Sequence, residues 1–154
     1  MSAVLFALLL QSTSISGDLQ VPRGVTPPAT AQVALLPLEY AKVFNAEVQI
    51  RLDNYWEDYK PAFARQKELF FQVMPRAYKS GLDATLARMR RDSKIDSASL
   101  IRNVARGQFE FRGVPPGEYK LVATASIGGN DYVWTETLQV ASSPIFIQMK
   151  NRVP

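Results

Sequence analysis

Residues 107–126 read GQFEFRGVPPGEYKLVATAS. Two runs of alternating apolar and polar side chains flank a Pro-Pro-Gly loop. Alternation puts every second side chain on one face of a strand. Pro115 and Pro116 fix their own φ, and Gly117 takes φ values closed to other residues. The three make a stiff reversal, and Pro116-Gly117 suits the central pair of a type II turn. Tyr119, just past it, is placed to bury its ring and send its hydroxyl to a nearby backbone group. Folding explains every part of this corner, so it is expected to carry no chemistry.

The rest of the C-terminal third agrees. Phe109 and Phe111 alternate with polar neighbours, as do Tyr119, Leu121, Ala123 and Ala125. The GGND of 128–131 is a turn. Tyr132, Trp134, Leu138 and Val140 then share one strand face, with Glu136 among them, and Ile145 to Met149 form a last apolar strand after Pro144. Upstream, Gln32 to Leu36 is a short apolar run consistent with one more strand.

Between these lies a different period. Ala41, Phe44, Val48, Leu52, Tyr55, Tyr59 and Phe63 recur every three or four residues, which is one face of a helix. Val48, Ile50 and Leu52 also alternate as a strand would, but the helical register holds for longer. Pro61 and Pro75 predict kinks. Leu69, Phe70, Val73, Met74, Ala77 and Tyr78 continue the stripe, Gly81 is expected to cap that segment, and Leu82, Leu86 and Met89 support a final helical stretch. So long an apolar stripe must bury against the sheet, against itself as a hairpin, or against a partner.

The chain opens MSAVLFALLLQSTSISGDLQ. Val4 to Leu10 is too short to span a bilayer. Small polar residues follow, and Ser14-Ile15-Ser16 has the pattern of a cleavage site. Residues 1–17 are read as a signal peptide and 18–154 as one exported domain. The n-region, without Lys or Arg, is atypical for such a signal.

Composition removes several chemistries. There is no Cys and no His among 154 residues. Disulfides and thiolate metal sites are excluded, and the commonest general base and metal ligand are missing. Residues 38–106 hold thirteen Lys or Arg and nine Asp or Glu, so the whole formal charge of +4 sits on the helical part. Arg88, Arg90 and Arg91 are the densest basic cluster, but Asp83, Asp92 and Asp96 dilute it and nucleic-acid binding needs a broader footprint.

The corner and its flanks resemble the carboxypeptidase regulatory-like domain, a prealbumin-like β-sandwich grouped with carbohydrate-binding-like folds. Gly107, Phe109, Phe111, Val114, Pro115, Pro116, Gly117, Tyr119, Leu121 and Ala123 carry the likeness, and Gln32 to Leu36 is similar to that family's earlier core strand. The likeness covers about 107–149 well and 20–37 weakly. This chain departs from the family in its NVARG turn and in the helical residues that separate its early strands. The resemblance implies an α+β fold: a prealbumin-like antiparallel β-sandwich with a long kinked helical insertion, about 38–94, between early strands. It implies no catalytic residue, because such modules have none to transfer.

Candidate chemistry is thin. Asp53 and Glu57, beside Trp56, share a helix face and suggest glycan hydrolysis, but two acids on one helical turn lie side by side rather than across a sugar bond. Lys79-Ser80 and Ser93-Lys94 are neighbours that do not point the same way on a helix. Trp134 and Tyr132 on a strand suit sugar stacking if exposed, and core packing if not. No catalytic, cofactor or metal residues are therefore expected. The leading expectation is a non-enzymatic envelope module that binds a protein through its helical insertion, with Phe44, Tyr55 and Trp56 as contacts. The insertion is also compatible with homo-oligomer contacts. The alternative is a carbohydrate-binding module using Trp134 or, less favoured, a carboxylate-based glycan hydrolase. Neither nucleic acid nor a stable membrane span after signal cleavage is expected.

Overall fold

The computed structural model describes residues 12–93 and 97–151. The chain runs β1 (Thr13–Leu19), β2 (Ala31–Pro37), α1 (Leu38–Arg65), α2 (Glu68–Asp92), a 3-10 turn at Ser97–Leu100, then β3 (Ile101–Val104), β4 (Gln108–Val114), β5 (Gly117–Ile127), β6 (Asn130–Val140) and β7 (Ile145–Met149). This is an α+β architecture. The strands form a three-stranded sheet in the order β4-β1-β7 and a four-stranded sheet in the order β3-β2-β5-β6.

The two sheets share one apolar core. Ile15 and Leu19 of β1 and Phe109 and Phe111 of β4 meet Val33, Leu35, Leu121, Ala123 and Trp134 from the other sheet. A second core lies on the far face of the four-stranded sheet. There Ala34, Leu36 and Val122 pack against Phe44, Val48, Leu82, Leu86 and Met89 of the helices. That sheet is therefore covered on both sides, which explains why β2 reads as an unbroken apolar run rather than an alternating one. The helical stripe closes both on itself as a hairpin and on the sheet.

Several expectations are corrected. Ile15 and Gly17 are buried in β1, which runs through the middle of its sheet, pairing with β4 on one side and β7 on the other. The segment 1–17 assigned to a leader therefore overlaps β1 at Thr13 to Gly17. The run Val4 to Leu10 lies outside the described residues. The β1–β7 pair is parallel, so the strands are not all antiparallel. The Pro-Pro-Gly corner does not join paired strands. β4 and β5 belong to different sheets, and the corner carries the chain from one to the other. Tyr119 is buried just past it, and its hydroxyl donates to the carbonyl of Pro115 at 2.9 Å.

The helices run through their prolines: Pro61 lies inside α1 and Pro75 inside α2. The break falls at Gln66 and Lys67 instead. Gly81 is no cap. It sits inside α2 where the helices cross, and a Cβ there would stand 2.7 Å from Val48 Cγ2. Arg51 adds a polar tie at the same crossing, with its Nε donating to Ser80 Oγ at 2.7 Å and its Nη1 to Glu47 Oε2 at 2.6 Å. The true stop is Ser93, left-handed at φ 51°, just past Arg90 and Arg91 in the last turn. Those cations oppose the negative end of the helix dipole. The predicted end of the insertion at 94 lies outside the described residues.

Gly128 and Gly129, at φ 58° and 81°, form the two-residue loop between β5 and β6. Two successive positive φ values are what a type I′ hairpin turn requires, and glycine meets them without steric cost.

Candidate functional site

The four residues singled out as contacts go to three separate places. Phe44 is 1% exposed, edge-on to Tyr78 at 6.0 Å between ring centroids, with the Lys120 ammonium 5.4 Å from its ring centre. It is a core residue of the helix–sheet interface and is not available to a partner. Trp134 is 0% exposed between the two sheets, and its Nε1 donates to the Gln20 carbonyl at 2.8 Å. It too is closed to any ligand. Tyr55 and Trp56 lie towards the tip of the helical hairpin. Tyr55 is half-buried; Trp56 stays 43% exposed while stacking on Phe63 at 6.0 Å and meeting Phe70 edge-on at 5.8 Å.

The rival chemistries fare similarly. Asp53 is exposed and accepts from Gln49 Nε2 at 2.8 Å on the same helix, and Glu57 is exposed one turn further on. Ser80 is held by Arg51, and Ser93 Oγ donates to the Arg90 carbonyl at 3.2 Å. Asp92 accepts from the Tyr40 hydroxyl at 2.9 Å and pairs loosely with Arg88 at 3.9 Å. Burial, and then the Asp92 carboxylate, push the Tyr40 hydroxyl above its usual pKa. Among the described residues no cluster of carboxylates could hold a metal ion, and no helix is long and apolar enough to cross a membrane.

A concavity lies elsewhere, between the start of α2 and one end of the two-sheet body. It is an open cleft of about 780 Å³. One wall is the start of α2, with Glu68, Phe71, Gln72 and Pro75. The other is built by three chain segments at one end of the sheets. These are Gln20 to Pro22 after β1, Asn130 to Tyr132 opening β6, and Lys150 and Asn151 after β7. Phe71 is 44% exposed and Tyr132 half-buried, so the hairpin and the sheets each bring an aromatic residue to the cleft.

The ring of Tyr132 is held from behind. It stacks on Trp134 at 6.1 Å with the planes 24° apart, and Trp134 is itself fixed by its bond to Gln20. Asp131 accepts from Ser126 Oγ at 3.0 Å across the hairpin. Trp134 thus acts on the cleft as a support. A preformed ring on a rigid strand loses little freedom when a ligand lands on it. The cleft combines flat apolar surface with amide and carboxylate groups, the mixture that fits a small polar ligand with an apolar face.

Sequence reasoning named Tyr132 as a stacking residue and Pro75 as a kink, but it missed Phe71 and the cleft. No local pattern announces a site whose walls come from four separated stretches of chain. The only signal was Tyr132, an aromatic next to a hairpin turn.

No protein-family profile matches the chain, and no curated protein matches it. Among solved structures, it is similar to a candidate carbohydrate-binding protein of Pseudomonas aeruginosa, at 16% identity over 98% of this chain and 97% of that one, with a TM-score of 0.39. It is also similar to the pilus protein RrgB of Streptococcus pneumoniae, at 14% identity over 92% of this chain and 30% of that one, with a TM-score of 0.27.

Proposed function

We propose that this chain is an exported, non-enzymatic binding module of the carboxypeptidase regulatory-like, prealbumin-like type, and that it holds a glycan in the cleft beneath the helical hairpin. One observation carries the reading: Phe71 of the helical hairpin and Tyr132 of β6 line one cleft together with Gln72, Asn130 and Asp131. The C–H face of a sugar ring packs on an aromatic ring, while amide and carboxylate groups bond its hydroxyls. The exposed, side-by-side placement of Asp53 and Glu57 favours binding over hydrolysis, which needs carboxylates on two sides of one bond.

The test is retention of residues 12–154 on a panel of immobilised cell-wall polysaccharides. Retention lost in Tyr132→Ala and Phe71→Ala, and kept in Trp56→Ala, supports the cleft. Equal retention in all three variants sinks it. A second reading rests on the hairpin tip, where Trp56 and Tyr59 are exposed at 43% and 50%. Rings left this open suit a protein partner. Capture of an envelope protein, lost in a Trp56→Ala, Tyr59→Ala double variant and kept in Tyr132→Ala, would favour that reading instead.

A further inference from the structure

Two open sheets leave four edge strands: β4 and β7 in one sheet, β3 and β6 in the other. An edge presents unpaired N–H and C=O groups, and charged side chains are a common guard against pairing with another chain. Three of these edges are guarded. β3 carries Arg102, β4 carries Glu110 and Arg112, and β6 carries Asp131 and Glu136. β7 reads Ile-Phe-Ile-Gln-Met, with no charge, and its Phe146 is 65% exposed.

The direction of the β7 main chain follows from its bond to β1. The Met149 carbonyl accepts from the Gln20 N–H at 2.8 Å. In a strand the N–H and C=O of one residue point to the same edge, and those of the next residue to the other. Ile145, Ile147 and Met149 therefore face β1. Phe146 and Gln148 present their N–H and C=O to the outer edge. Among the described residues β7 pairs with β1 alone.

We infer that β7 is a self-association edge, on which two copies of this chain pair β7 to β7, antiparallel, about a two-fold axis at Ile147. In that register Phe146 of each copy lies opposite Gln148 of the other. The outward-facing residues meet and exchange four main-chain hydrogen bonds. Ile147 meets its own counterpart in a non-hydrogen-bonded pair, joining two side chains that already pack on the inter-sheet cores. Past the strand, Pro144 falls opposite Lys150 and has no N–H to give, so the ladder stops at both ends. A second copy suits this edge because the strand brings no charge to repel its like, although the chain carries +4. The pairing uses both open edges, so assembly stops at two.

Sedimentation velocity on the full chain should show a monomer–dimer equilibrium with a Kd of about 10–1,000 μM, since one strand pair buries less than a standard interface. Gln148→Pro removes an N–H that faces the free edge, where a strand tolerates proline, and with it two of the four bonds. It should weaken the dimer at least about tenfold. Phe146→Lys, which restores a guarding charge, should do the same, and melts of both variants should stay near wild type. If Gln148→Pro fails to fold, Phe146→Lys and two cysteine variants decide. The chain has no Cys, so an introduced one reports the register. Ile147→Cys should cross-link to its counterpart on oxidation, with Cα atoms about 4.5 Å apart. Phe146→Cys, on the diagonal at about 7–8 Å, should cross-link far more slowly. A chain monomeric throughout, a dimer that Phe146→Lys leaves intact, or faster cross-linking at 146 than at 147 overturns the inference. So does association that is lost in the Trp56→Ala, Tyr59→Ala double variant and kept in Phe146→Lys, which would place the contact at the hairpin tip.

Discussion

The molecule holds two tryptophans in two settings that look alike pairwise and differ as wholes. Trp134 stacks on Tyr132 at 24°, and Trp56 stacks on Phe63 at 20°. Yet Trp134 is fully closed between two sheets, with its N–H bonded, while Trp56 is 43% exposed at the hairpin tip. Ring geometry does not distinguish a core from a surface. Closure does. The inter-sheet core is shut by β1, β4 and β6 together, whereas among the described residues the tip cluster is built by the two helices and leaves Trp56 and Tyr59 exposed. The base of the same hairpin, around Phe44 and Leu86, is shut because the four-stranded sheet lies against it. The tip is the part of the helical unit that stays available.

Trp134→Ala breaks the comparison most directly. It should cost about 3–5 kcal/mol, as large-to-small changes in closed cores do. Thermal unfolding followed by circular dichroism reads the loss, and a drop under about 1 kcal/mol would mean the core is looser than its burial implies.

Gly81→Ala moves the test to the base of the hairpin. The added methyl meets Val48 Cγ2 at 2.7 Å and the Val48 backbone nitrogen at 3.2 Å, so the helices must separate. A loss of about 1–3 kcal/mol is expected, read in the same melts. No loss would show that α1 and α2 slide freely.

At the tip, Trp56→Ala should cost at most about 1.5 kcal/mol, since an aromatic pair adds little beyond its burial. Comparable losses for Trp56→Ala and Trp134→Ala would erase the contrast between the two regions.

The smallest effect concerns Tyr119. Tyr119→Phe removes one hydrogen bond, to the Pro115 carbonyl, for about 1 kcal/mol. The change also has a pH signature. Burial raises the pKa of the Tyr119 hydroxyl above 10.0. The folded state thus holds this proton more tightly than the unfolded one. Its contribution is complete below the unfolded pKa and is lost as pH rises through the raised folded value. Wild-type stability should therefore fall more steeply above pH 10 than that of Tyr119→Phe. Tyr40, raised as well, keeps part of the slope in both proteins. Identical slopes would show that the Tyr119 hydroxyl ionises as freely folded as unfolded.

Local pattern carried much of this fold. The alternation around Phe109 and Phe111, the Gly-Gly turn and the stripe from Ala41 to Phe63 all became the expected elements, because strand and helix periods are written in neighbouring residues. The bond from Tyr119 to the corner followed from the same short range. What failed was long range. Nothing near Pro115 tells whether β4 and β5 pair or change sheets, and nothing near Gly81 distinguishes a stop from a crossing. Phe44 and Trp134 were offered as contacts because a large ring reads the same in a core and on a surface. The cleft needed Phe71 beside Tyr132, which only the packing of hairpin on sheets supplies.

The position of β1 has a consequence for how this chain acquires its shape. β1 is first among the described elements, yet it pairs with β4 and, in parallel, with β7, the last of them. The Trp134 bond to Gln20, at the exit of β1, spans 114 residues. A chain made from its N-terminus can assemble α1 and α2 early, from contacts close in sequence. β1 must wait, with both its edges open, until β4 and β7 have been synthesised. Non-local closure of this kind is slow, and an unpaired strand is vulnerable to pairing with other chains while it waits. The helical hairpin is thus closed by neighbours in sequence, and β1 by strands from the far end of the chain.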